Sequence, residues 1–268
     1  MKKTAYLLAL AMFLTLSCQK NESRDDDIPE NYRPYRTLSI GIADGQETKV
    51  GFDENKAFYW HKGDKVDVLT TAGFKEMTLD DSYEGQATGV FTGDFEEEIG
   101  DYVVYPAGLH VMGEGQLTYN LPSSYTYASI EDEANSVNPP MMGRIENDGA
   151  TLTHLASFFK ISVTNIPGGG DDMKFVLTSD KRITGDFVID LSNDPPVLQT
   201  DDAEGNTVTI SFANAVSGTD GVFYVPAPLG TYGSIKVDIM DGEELLATKT
   251  WTDQTVSRKT PKRGSVTV

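Results

Sequence analysis

The amino-acid sequence predicts an all-β protein built from antiparallel β-sandwiches. From about residue 37 onward, short runs of alternating apolar and polar residues are divided by Gly, Asp, Asn and Pro. No stretch there sustains a helical period. The dipeptide Asp241-Gly242 stands between two such runs and is a strong hairpin signal. Strands with one wet face and frequent turns fit antiparallel sandwiches better than a parallel α/β sheet.

Taken in order, the chain begins with a positively charged Met1-Lys2-Lys3 and an apolar run over residues 5–16. That run has signal-peptide length and is too short to span a bilayer. Thr15-Leu16-Ser17-Cys18 follows and resembles the lipobox cut by a lipoprotein signal peptidase, between Ser17 and a diacylated Cys18, although Thr15 stands where leucine is commoner. The alternative is an ordinary signal peptide with an incidental cysteine. Cys18 is the only cysteine, so it closes no internal disulfide and builds no cysteine zinc site. Two or three acyl chains, at about 0.8 kcal/mol per buried methylene, would anchor the protein firmly. Residues 19–27 are polar, end in Asp25-Asp26-Asp27 and have nothing to bury, so residues 18–36 are predicted to be an acidic tether.

The strand candidates then follow. Val66 and Val68 alternate with Lys65 and Asp67, and residues 101–105 form a second run. Phe159, Ile161 and Val163, then Val208, Ile210 and Phe212, then Ile235, Val237 and Ile239 each mark one apolar face. Between residues 123 and 149 this pattern lapses into Ser, Glu, Asp, Asn and Pro. Two sandwiches are therefore expected, over 37–148 and 149–268. The alternative is a long functional loop inside one sandwich.

Composition narrows the function. The formal net charge is -19, and loss of Lys2 and Lys3 with the signal peptide takes it to about -21. Such a charge opposes phosphate binding, so nucleic acid is not an expected partner. A hydrophobic content of 39% is sufficient for a folded core. Nothing predicts an enzyme or a cofactor. His61, His110 and His154 are far apart and match no metal motif, and no serine lies in a nucleophile elbow. Gly168-Gly169-Gly170 lacks the lysine and helix of a phosphate loop and is expected to be a turn. Asp201, Asp202, Glu204 and Asn206 match no established calcium-loop spacing. A glycan-capturing surface would present Trp and Tyr, but Trp60 and Trp251 fit a core as easily.

The chain resembles the fimbrillin family, the two-domain pilins and related lipoproteins of Bacteroides-type bacteria. The residues that carry the resemblance are Val50-Gly51-Phe52, the stretch 59–66, Val90-Phe91-Thr92-Gly93, and 102–107 with its Tyr105-Pro106. Leu121-Pro122, Met141-Met142, the stretch 154–163, Ile183-Thr184-Gly185 and Phe223-Tyr224-Val225-Pro226 follow in the family's order. The acidic cluster after Cys18 also resembles a surface-export signal of such lipoproteins, although a solvated spacer reads equally well. The resemblance implies two transthyretin-like sandwiches and an adhesive fimbrial subunit, lipid-anchored and exposed on the outer membrane. The implied partners are other fimbrial subunits and a host or bacterial surface ligand. A glycan- or protein-binding lipoprotein that does not polymerise is the other function class.

The resemblance further implies cleavage by an arginine-specific protease, with Arg36, Arg33 and Arg24 as candidate sites, followed by strand exchange between subunits. Leu38, Ile40 and Ile42 lie two residues apart, so an extended first strand would send all three into one groove. At the other end, Val266 and Val268 either complete the second sandwich or serve as a donor strand. If they complete it, a tip or accessory subunit is expected.

Overall fold

The structure, a computed structural model, describes residues 35–43, 59–108, 110–113, 116–127, 140–167, 172–200, 204–213, 220–258 and 262–268. Residues from Pro34 to Val268 belong to one compact unit. The described residues are all-β apart from one 3-10 turn, Asp81–Tyr83. The strands are β1 (Tyr35–Ile42), β2 (Lys65–Thr70), β3 (Gly73–Leu79), β4 (Thr88–Asp94), β5 (Ile99–Tyr105), β6 (His110–Gly113), β7 (Gln116–Leu121), β8 (Ser124–Tyr127) and β9 (Met141–Glu146). They continue as β10 (Gly149–His154), β11 (Ala156–Thr164), β12 (Met173–Ser179), β13 (Gly185–Asp190), β14 (Val197–Leu198), β15 (Thr207–Phe212), β16 (Gly221–Pro228), β17 (Gly230–Asp241), β18 (Glu244–Val256) and β19 (Lys262–Thr267).

Seven strands close a barrel in the order β1-β10-β9-β5-β2-β3-β4. An open sandwich is what alternation alone predicts. The barrel closes because β1 bonds on both sides, antiparallel to β4 and parallel to β10. Its interior is filled by Leu38, Ile40, Trp60, Val66, Met77, Phe91 and their neighbours. Asn147 and Asp148, both at positive φ, make the turn between β9 and β10, so barrel pairing runs past 148 to His154.

Beyond the barrel, a five-stranded sheet, β18-β17-β12-β15-β8, and a three-stranded sheet, β16-β11-β19, enclose a second core. Phe159, Ile161, Val163, Phe175, Ile235, Val237 and Ile239 fill it, as their period-two spacing predicts. Asp241-Gly242 does turn β17 into β18, with Gly242 at a φ of 59°. A four-stranded sheet, β14-β13-β7-β6, packs through Leu117, Tyr119 and Phe187 on Val104 and Met142 of the barrel strands β5 and β9. Strands β7 and β8 thus pair with β13 and β15, from the second half of the chain.

Candidate functional site

The first strand is the site that sequence reasoning singles out, and its geometry follows from its alternation. Leu38 sits opposite Phe91, and Ile40 sits between Gly89 of β4 and Ala150 of β10. The exposures of Leu38, Ile40 and Ile42 are 1%, 0% and 8%, so all three enter the barrel. Their burial contributes roughly 1.5 to 3 kcal/mol each. Trp60 locks the middle of the strand. Its Nε1 donates to the Ile40 carbonyl at 3.2 Å, and its ring meets Phe91 and Tyr105 edge-on. Gly89 makes this possible, because a Cβ there would lie 2.4 Å from a Leu79 methyl and 3.0 Å from the indole.

Arg36 lies within β1, opposite Gly93, and its guanidinium donates to the Glu96 carbonyl at 3.0 Å. Ser17, Cys18, Arg24 and Arg33 lie outside the described residues, as do Gly168-Gly169-Gly170, Asp201 and Asp202.

Under the barrel's Trp60 side is a buried polar group that the sequence did not signal. Tyr105 donates its hydroxyl to Asp64 at 3.0 Å, and Asp64 also accepts from the His61 amide at 2.8 Å. Burial raises both groups, with the Asp64 charge adding to the shift of Tyr105. Asp67 accepts from the Gly108 amide at 2.8 Å, and burial raises it too. His110 Nε2 stands 3.5 Å from Asp67, beyond a good hydrogen bond, and burial lowers His110 to about 4. It is therefore neutral at physiological pH. His154, at the end of β10, is driven down to about 3, first by burial and then by the charge of Arg258. The three histidines thus occupy separate places: His61 is exposed, and His110 and His154 are enclosed by different neighbours.

On the outside of the barrel, strands β1, β10, β9 and β5 floor a groove of about 710 Å³. Small residues, among them Ser39, Gly41, Gly143 and Ala150, keep this face hollow. Gly143 is required by close approach, since a Cβ there would lie 2.5 Å from the Thr151 carbonyl oxygen. Tyr102, Arg144 and Glu146 rise around the floor, and the β13–β14 loop from Leu191 to Pro196 overhangs it. That loop is braced. Asp190 accepts from the Ser192 amide, the Ser192 hydroxyl and the Asn193 side chain at 2.9, 2.6 and 2.8 Å. From behind, Arg258 donates to the Pro196 carbonyl at 2.7 Å and the Pro195 carbonyl at 3.4 Å. Alternation could mark Tyr102 as a strand residue and Asn193-Asp194-Pro195-Pro196 as a turn. It could not bring them together.

No protein-family profile and no curated protein sequence matches the chain. Among solved structures, a candidate cell adhesion protein from Bacteroides ovatus aligns over 88% of this chain and 93% of its own, with a TM-score of 0.52 at 11% identity. The two chains share a fold. A second candidate cell adhesion protein, from Bacteroides uniformis, covers 87% and 93% with a TM-score of 0.48 at 10% identity. The fimbrial anchor protein Mfa2 from Porphyromonas gingivalis covers 81% and 82% with a TM-score of 0.35 at 10% identity. At such identities the likeness is one of fold, and of these three structures the first is close enough to carry it.

Proposed function

We propose that this chain is a surface-exposed adhesion protein of the bacterial outer membrane, a subunit of a fimbrium or a related assembly, and not an enzyme. The observation that carries this reading is the fold shared with the Bacteroides ovatus candidate adhesin over 88% of the chain. The finer reading has two transthyretin-like bodies, with Cys18 as the lipid anchor that holds the protein at the outer membrane and residues 18–36 as its tether. Its partners are other fimbrial subunits, with host or bacterial surface ligands beyond them.

Strand exchange is supported by a first strand that is a self-contained apolar insert, and the positions of the arginines divide the process into two steps. After Arg36 the next arginine in the chain is Arg144. Cleavage at Arg24, Arg33 or Arg36 therefore removes the lipid but leaves Leu38, Ile40 and Ile42 attached to the body. Release from the membrane and opening of the barrel are separate events, and the second requires β1 to peel from β4 and β10. Until a partner strand arrives, the paired β1 also keeps the barrel without an exposed edge.

Metabolic labelling with a clickable fatty acid tests the anchor. The wild type should label and Cys18→Ser should not, and equal labelling removes Cys18 from the account. Negative-stain microscopy with an antibody to this chain, on cells with and without the gene, tests the assembly. Antibody confined to the smooth cell surface, with filaments unchanged by the deletion, favours a surface lipoprotein that does not polymerise. The outer groove supports that second reading, because it offers a ligand site on the monomer.

A further inference from the structure

We infer that the groove on the outer barrel face is a binding site for a neutral oligosaccharide. This goes beyond the adhesion reading and does not depend on polymerisation. The volume, about 710 Å³, falls within the roughly 300–1,000 Å³ of sites that enclose a compact organic ligand.

The lining selects among ligand classes. Anionic ligands are disfavoured, because Glu146 and Asp194 outnumber Arg144 among the charged groups at the groove, in a protein whose net charge is already -19. An extended peptide has nothing to pair with. Every floor strand already has a neighbour on both sides in the closed barrel, so no free main-chain ladder is presented. A lipid tail is poorly matched, because hydroxyl, amide, guanidinium and carboxylate groups converge on the same space.

What remains is a ligand rich in hydroxyls with small apolar C–H patches. Thr88 and Thr151 supply hydroxyls, Asn193 an amide, and Glu146 and Asp194 acceptors, while Tyr102 supplies an aromatic ring against which a sugar's apolar patch can pack. Leu191 on the overhanging loop is 40% exposed, one of two large aliphatic side chains left in solvent among the described residues. The loop is held by Asp190 from within and by Arg258 from behind, so the wall is set before a ligand arrives.

The purified full-length protein on a glycan array carrying neutral and acidic oligosaccharides, followed by calorimetry on any hit, tests the inference. Neutral glycans should be retained. Tyr102→Ala should weaken the hit by about tenfold or more while Tyr102→Phe keeps it, a loss worth about 1.4 kcal/mol. Thr151→Arg and Thr88→Arg each place a long side chain in the groove from an exposed strand position, and either variant with an unchanged melting temperature should abolish binding. Retention of acidic glycans alone, retention of none, or neutral binding that survives both arginine variants overturns the assignment. Fatty-acid labelling and microscopy do not depend on this result, so the adhesion reading and the sugar site fail separately.

Discussion

The first and last described strands are both added parallel to a neighbour, yet they are held in different ways. β1 lies between β4 and β10 and closes the barrel, with three aliphatic side chains buried. β19 pairs only with β11, at the edge of the three-stranded sheet, with Val266 buried at 3% exposure and Val268 packed at the margin of the core. The comparison teaches that enclosure, and not position in the chain, decides what a terminal strand does. Removing β1 opens two edges at once, whereas removing β19 shortens a sheet.

The largest expected effect is therefore in β1. Ile40→Ala should cost about 2 to 5 kcal/mol in urea unfolding, and Ile40→Asp should prevent folding by burying a carboxylate among Trp60, Phe91 and Leu152. Val266→Ala should cost less than Ile40→Ala. If the two alanine variants lose equal stability, the contrast between an enclosed and an edge strand is wrong.

Next comes removal of residues 264–268, which should lower the melting temperature by a loss of roughly 1.5 to 3 kcal/mol for Val266, together with its share of the β11 ladder. Gly264 adds to this, because Trp251 packs so closely on it that a Cβ would lie 2.7 Å from the indole. The truncated protein should still hold its barrel. Full stability with lost crosslinking to a partner subunit would instead make this strand a donor.

Acid should act through the two enclosed histidines, His154 at the end of barrel strand β10 and His110 in β6 of the four-stranded sheet. His154 and His110 are lowered by burial to about 3 and about 4, below the 6.5 of an exposed histidine. The unfolded chain then binds protons that the folded one does not. Stability is complete above pH 6.5 and falls as pH drops toward 4, by about 1.4 kcal/mol per unit for each histidine. Asp64 and Asp67, raised by burial, work the other way at the acid end. Thermal melts of His154→Leu between pH 7 and 4.5 should show a shallower slope than wild type, and an unchanged slope removes His154 from the explanation.

How much of this was legible in the sequence varies by residue. Leu38, Ile40 and Ile42, the faces of β2, β11, β15 and β17, and the Asp241-Gly242 turn were readable because each is a local pattern. Closure of the barrel was not, because the parallel pairing of β1 with β10 joins residues more than a hundred positions apart. The parallel pairing of β8 with β15 is likewise long-range, with Ser124 opposite Thr209, and no local pattern announces it. The groove combines both difficulties. Its floor residues are outward-facing members of good strands, and its wall is a loop whose composition says only that the chain turns.

The smallest effect expected is that of cleavage at Arg36, and it separates cutting from opening. The Arg36–Thr37 bond lies inside β1, paired on β4, so a protease reaches it only when the end of the strand frays. Ile40→Ala, by weakening the strand, should speed the cut. Once made, the cut deletes the pairing of Tyr35 and Arg36 with Asp94 and Gly93 and the bond to the Glu96 carbonyl, each hydrogen bond worth about 0.5 to 1.5 kcal/mol net. Leu38, Ile40 and Ile42 stay in the barrel. Protein digested with an arginine-specific protease and repurified should begin at Thr37 and melt within a few degrees of the uncut form. A large fall in melting temperature would mean that the Arg36 end of β1 is what holds the barrel shut, and that one proteolytic step both frees the protein and opens it for a partner strand.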